Sequence, residues 1–164
     1  RDRIGHEIGH GFDDQGSRYD GAGNLNSWWT DEDREAFEAL TAKLVEQFNG
    51  LVPSVLDEGS QGVNGEFTLG ENIGDLGGLG IAVVAYRNYE QDPDFEALFK
   101  AWARVWRSKT RPEMAAQLLA IDPHAPNEFR CNVIAANIDE LYQAFDVEEG
   151  SAMWIAPEDR VKIW

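Results

Sequence analysis

Cysteine, histidine and positive charge are all scarce in this sequence. One cysteine, Cys131, among 164 residues excludes any disulfide closed within the chain. It points to a reducing compartment or to a bacterial protein that needs no covalent staples. Lysine and arginine number 14 against 30 aspartates and glutamates, a net charge of −16. Such a surface repels nucleic acid and anionic lipid, because binding to either draws on basic patches. The longest apolar stretch, GLGIAVVAY at 78–86, falls far short of the ~20 residues a membrane-spanning helix needs. No secretory signal opens the sequence. No methionine opens it either, and the first residues run straight into a motif, as expected of a piece of a longer protein. There is no internal repeat and no low-complexity tract. The compartment stays open between bacterial cytoplasm and cell envelope or secretion.

Hydrophobic residues at 43% and aromatic residues at 11% fit one packed globular domain. Helical spacing dominates. Residues 3–12 read as a helix, followed by a loop rich in Gly, Asp and Asn. Thr30 is a candidate N-cap with Asp33 at N3, and Phe37, Leu40, Leu44 and Phe48 recur on one face behind it. Residues 49–67 read as a linker with a short extended piece near Phe67. Residues 68–90 become helical in their second half at least. Asp92 and Pro93 read as a cap and start for a helix running to Lys109. A further helix is expected over 111–120, a break at the two prolines of IDPHAPNEF, and one helix over 130–145. The expected fold class is mainly α with little strand.

IGHEIGHGFDD, residues 4–14, holds two of the chain's three histidines. On an α-helix, residues four apart differ by about 40° in direction and about 6 Å in rise. His6 and His10 therefore share a side, and two imidazoles so placed can hold one zinc ion. Glu7 lies on the flank of that face, badly aimed for the metal and well aimed for a water beside it. A carboxylate there can take the water's proton as it attacks a carbonyl and later deliver it to a leaving amine. The bland alternative is two surface histidines on a helix.

Two histidines leave such a site one protein ligand short. A metzincin would carry Gly at 13 and His at 16, where this chain has Asp13 and Gly16. The third histidine, His124, is one candidate. Glu71 in GENIGD is the better one, completing a His₂Glu set, and it begins a second i, i+4 pair with Asp75. Asp75 can accept the outer ring N–H of His6 or His10 and so fix its tautomer. Taken alone, ENIGD is more simply an acidic helix face. HAPNEFR adds His124, a possible oxyanion donor worth about 2.7–4 kcal/mol, and Arg130, whose guanidinium fork can grip a carbonyl. Alone, that stretch reads as a surface loop histidine and a helix arginine.

Together these stretches resemble the neprilysin-type zinc metallopeptidases, the gluzincin family of neprilysin and endothelin-converting enzyme. The resemblance rests on GHEIGHGFDD, WWT at 28–30, NGEFTLGENIGDLGGL at 64–79, WRSKTRPE at 106–113, DPHAPNEFR at 122–130 and the terminal VKIW. They stand in the family's order and cover essentially the whole chain. The resemblance implies one zinc ion per chain, ligated by His6, His10 and Glu71. It implies Glu7 as general base, Asp75 as the carboxylate that orients a ligand histidine, His124 as transition-state stabiliser and Arg130 as binder of a substrate carbonyl. Val105 and Trp106 fall where the family lines its S1′ pocket, although helix core explains them as well. Arg3 stands where an apolar pocket residue is expected. Cysteines typical of animal members near the C-terminus are missing, which fits a bacterial member.

The resemblance also implies that residues 1–164 are the C-terminal portion of a thermolysin-like catalytic domain. The family's upstream edge strand, with its Asn-Ala dipeptide, and its large helical domain are not in this sequence. The expected partners are oligopeptide substrates and the rest of the parent peptidase chain, with no nucleic acid and no membrane segment. Three readings follow: a zinc endopeptidase, a zinc-binding but catalytically incomplete piece, and a helical interaction module with an accidental HExxH.

Overall fold

A computed structural model describes residues 2–163. Among the described residues there are seven α-helices: α1 (Asp2–Gly9), α2 (Asp31–Phe48), α3 (Leu69–Tyr89), α4 (Phe95–Val105), α5 (Pro112–Ile121), α6 (Asn127–Ala136) and α7 (Asp139–Ala144). Among the described residues there is no strand, only an isolated antiparallel bridge between Tyr19 and Leu25. Mainly α is the observed class. No helix among the described residues is long and apolar enough to cross a membrane. Trp164, the expected terminal aromatic, lies outside the described residues.

The central element is α3, whose residues 72–79 are all buried. It is helical from Leu69 onward, so the glycine-rich first half that the sequence left open is helix too. Glycine usually weakens a helix interior. Here it permits close packing of α1: a Cβ on Gly5 would stand 3.1 Å from Gly78 Cα. Backbones meet at that spacing only where side chains are missing. On the opposite side, α2 lays Phe37, Leu44 and Phe48 into a core shared with Ile73, Leu76 and Leu79 of α3, Phe99 and Trp102 of α4, and Ile134 of α6. Thr30 caps α2 as its sequence position foretells, its hydroxyl accepting from Asp33 N–H at 3.1 Å.

Four local expectations need correction. The first helix ends at Gly9, because Gly9 and Gly11 loosen the backbone and Asp13 Oδ1 then gathers the N–H groups of Gln15 and Gly16 into a turn. No extended piece forms near Phe67; Asn64 Oδ1 accepts from Phe67 N–H at 3.0 Å and bends the chain into turns that lead directly into α3. Asp94, not Asp92, caps α4, accepting from Ala97 N–H at 2.8 Å, and the helix stops at Val105. The helix expected over 130–145 starts earlier, at Asn127, and breaks at Asn137 into α6 and α7. The Asn137 amide donates to Val133 C=O and Gln47 Oε1, and its oxygen accepts from Val161 N–H. One side chain thus ties the end of α6 to α2 and to the fully buried Val161 of the C-terminal segment.

Candidate metal centre

The α1–α3 contact brings together two polar pairs, each four residues apart: His6 of α1 with His10 just past the helix end at Gly9, and Glu71 with Asp75 of α3. The approach of the helices does the rest. Gly74 leaves the space that the His6 ring fills; a Cβ there would lie 2.8 Å from His6 Nδ1. His6 Nε2 and His10 Nε2 are 3.1 Å apart. Glu71 Oε2 lies 3.4 Å from His6 Nε2, and Glu71 Oε1 lies 3.5 Å from His10 Nε2. Four donors arranged tetrahedrally at the zinc–nitrogen distance of about 2.0–2.1 Å stand about 3.3–3.4 Å from one another. The three observed separations bracket that edge. Two imidazoles, which lose their ring proton on ligating, and a carboxylate are also the donor chemistry zinc prefers, so these residues fit the ion.

Further carboxylates sit behind the cluster. Asp75 Oδ1 is 2.9 Å from His6 Nδ1, a charge contact whose direction is too oblique for a well-aligned hydrogen bond. Asp75, only 4% exposed, also accepts two hydrogen bonds from Arg130, from Nε at 2.6 Å and Nη2 at 2.9 Å. Nε and Nη2 of the guanidinium that sequence reasoning assigned to a substrate carbonyl are thus committed to Asp75, and Nη1 has no hydrogen-bond partner among the described residues. Asp13 Oδ2 sits 2.9 Å from His10 Nδ1. Asp122 Oδ1 is 2.6 Å from His124 Nδ1 and accepts the His124 backbone N–H at 2.9 Å. Asp13 and Asp122 went unrecognised in the sequence. Asp13 follows His10 by three residues, and Asp122 precedes His124 by two, spacings that turns routinely close.

These contacts set the electrostatics. Asp75 and then Glu71 pull the His6 pKa up to about 9, outweighing burial. Burial pushes Glu71 upward, but the His6 contact and the charges of His124 and Arg130 outweigh it and hold Glu71 below its ordinary value. Burial likewise pushes Asp122 upward, and the N–H groups of His124 overcome it, so Asp122 is lowered.

His6, Glu71 and Asp75 form one wall of a cleft of about 570 Å³ lined also by Glu7, His124, Arg130, Val105 and Trp106. The residues singled out from the sequence thus meet at one place. Glu7 is exposed on α1, beside the two histidines. His124 Nε2 reaches to 3.0 Å from Glu71 Oε2. The Arg130 guanidinium stacks 4.5 Å from the Trp106 ring centroid. Val105 is 67% exposed, so it is a cleft residue and not helix core. Arg3, where an apolar residue was expected, lines the same cleft.

The family model for Peptidase family M13 matches residues 2–161. A neutral endopeptidase of Lactococcus lactis is 42% identical over 161 residues, covering 98% of this chain and 25% of its own length. Endothelin-converting enzyme 1 of Bos taurus is 37% identical over 173 residues, covering 98% of this chain and 22% of its own. The crystal structure of Mycobacterium tuberculosis zinc metalloprotease ZMP1 in complex with inhibitor superposes with a TM-score of 0.93 at 49% identity, over 99% of this chain and 26% of that one. The chain spans about a quarter of the length of these relatives. With a family match over nearly every residue and the same helical arrangement in solved relatives, the chain belongs to Peptidase family M13.

Proposed function

We propose that this chain is the C-terminal, zinc-holding portion of an endopeptidase catalytic domain that hydrolyses peptide bonds of oligopeptides. The observation that carries the reading is the spacing of His6, His10 and Glu71, at 3.1–3.5 Å between donor atoms. One zinc ion held by these three would supply Lewis acidity, polarising a carbonyl and acidifying water. Glu7, exposed on the flank of the histidine face, takes the proton from the attacking water and passes it to the departing amine. Asp13, hydrogen-bonded to the outer nitrogen of His10, and Asp75, in charge contact with that of His6, steady both rings so that their inner nitrogens would be free to ligate zinc. Asp122 fixes the His124 ring, so that its other nitrogen can donate to the oxyanion that forms as water adds. Arg130, tethered to Asp75, offers Nη1 to the same region. Val105 and Trp106 supply apolar surface for the side chain next to the scissile bond.

The test is hydrolysis of a fluorogenic oligopeptide by the full-length protein. Chelator should abolish it. Glu7→Gln should lower kcat about 10²–10⁴-fold while zinc stays near one per chain. Hydrolysis that survives Glu7→Gln, or a protein that holds no zinc, rules the reading out.

A second reading is favoured by one observation. No strand exists among the described residues, so this portion offers no sheet edge to pair with a substrate backbone. By that reading these residues bind zinc but need the rest of the parent chain to turn substrate over. Zinc binding without hydrolysis by the 164-residue chain, with hydrolysis by the longer protein, would select it.

A further inference from the structure

A second cavity, beside the metal-site cleft, is lined by Arg107 and Lys109 together with two carboxylates, Asp122 and Glu128. Residues 97–112 hold Lys100, Arg104, Arg107, Lys109 and Arg111 and no acidic residue, in a chain with 30 acidic side chains and 14 basic ones. Lys100 is paired with Glu96 one turn back on α4. Arg107 and Lys109, in the loop after α4, have no ion-pair partner among the described residues. Both line a cavity of about 640 Å³. It shares Trp106, His124 and Asn127 with the metal-site cleft, so the two spaces adjoin.

The carboxylates in this cavity are already engaged. Asp122 faces His124 at 2.6 Å. Glu128 accepts from the Ser54 hydroxyl at 2.7 Å and from Ser54 N–H at 3.2 Å. A solvated loop would account for two unpaired cations. It does not account for their standing on the wall of a chamber also lined by His124, whose two acids hydrogen-bond to His124 and Ser54 and form no ion pair with these cations. An extended peptide running past His124 would bring a neighbouring residue within their reach.

We propose that this chamber is a subsite for a carboxylate of the substrate peptide, either an aspartate or glutamate side chain or a free C-terminus. The inference rests on the peptidase reading above. Arg107 offers the planar fork that pairs with a carboxylate through two hydrogen bonds, and Lys109 adds a mobile point charge.

The experiment compares twin peptides cleaved by the full chain. One set differs only by Glu or Gln at successive positions on either side of the bond. The other differs only by a free or amidated C-terminus, which separates the two sources of carboxylate. At low salt the preferred acidic twin should show kcat/KM about two- to fivefold above its neutral partner, and added salt should shrink the ratio. The ratio should fall to about one in Arg107→Gln/Lys109→Gln and below one in Arg107→Glu/Lys109→Glu. Because each ratio is taken within one preparation, a partly unfolded variant does not distort it. A ratio of one in the parent protein at every position and terminus, or a preference that survives the double substitution, overturns the proposal. If no peptide is cleaved, the peptidase reading fails on its own. The subsite is then judged by fluorescence anisotropy with labelled Glu and Gln twins, under the same two criteria.

Discussion

Replacing Gly74 with alanine tests how the metal centre is built, because the change is small and its consequence is local. The added Cβ would stand 2.8 Å from His6 Nδ1 and 2.9 Å from Cε1. Ordinary contact begins near 3.4 Å, so the ring must retreat by about 0.6 Å. A metal site tolerates ligand displacements of only about 0.2 Å, and the His6–Glu71 and His6–His10 separations would open accordingly. Zinc affinity should fall about 10–100-fold, the range seen when support behind a ligand is lost. Global stability should fall by about 0–2 kcal/mol. Alanine gains about 0.8–1.0 kcal/mol over glycine in a helix interior, and displacing the ring costs about 1–3 kcal/mol. Gly80 is the internal control. It lies on the same helix, and a methyl group added there would meet nothing within 4 Å. Gly80→Ala should raise the melting temperature by about 2–4 °C and leave zinc affinity alone. Competition with a chromogenic chelator measures the affinity, and thermal unfolding measures the stability. If Gly74→Ala binds zinc as tightly as the parent and stabilises as much as Gly80→Ala, the account of the α1–α3 contact is wrong.

Other outcomes follow from the same geometry. Asp13→Asn keeps an acceptor for the turn N–H groups but presents a donor to His10 Nδ1, and should weaken zinc about 10–100-fold by chelator competition; unchanged affinity would show that Asp13 has no part in holding His10. Arg130→Met leaves the buried Asp75 carboxylate without its bidentate partner and should cost about 3–5 kcal/mol in denaturant unfolding, whereas a loss under about 1 kcal/mol would mean the pair is not closed in solution. In the metal-free chain, the folded pKa of His6 is raised from 6.5 to about 9. Its stabilising contribution is therefore complete below pH 6.5 and is lost as the pH rises through about 9. An NMR titration that places His6 at or below 6.5 would contradict the contacts with Asp75 and Glu71.

Much of the site was legible in the residues because the chemistry is local. HExxH puts two imidazoles on one side of any helix that forms there, and ENIGD does the same for two carboxylates. Capping of α2 by Thr30 and the apolar face of Phe37, Leu44 and Phe48 are likewise short-range consequences of spacing. Resemblance to a family then assigned the roles that spacing alone left open, His124 and Arg130 among them.

What the residues did not disclose depends on segments far apart in the chain. Arg130 is 55 residues from Asp75, and their contact commits a guanidinium that looked free for substrate. Asn137 splits a continuous helical pattern because Gln47 and Val161 arrive from elsewhere to claim its amide. Helical periodicity does not register a side chain that bonds across the molecule, and local charge does not reveal which acids are already engaged. Residue order alone dictates that donors of the right kind come in pairs one helical turn apart. It took the packing of α1 on α3, through glycines at 5, 74 and 78, to turn the two pairs toward each other at a spacing one metal ion can bridge, because backbone proximity depends on the side chains that both helices lack at their contact.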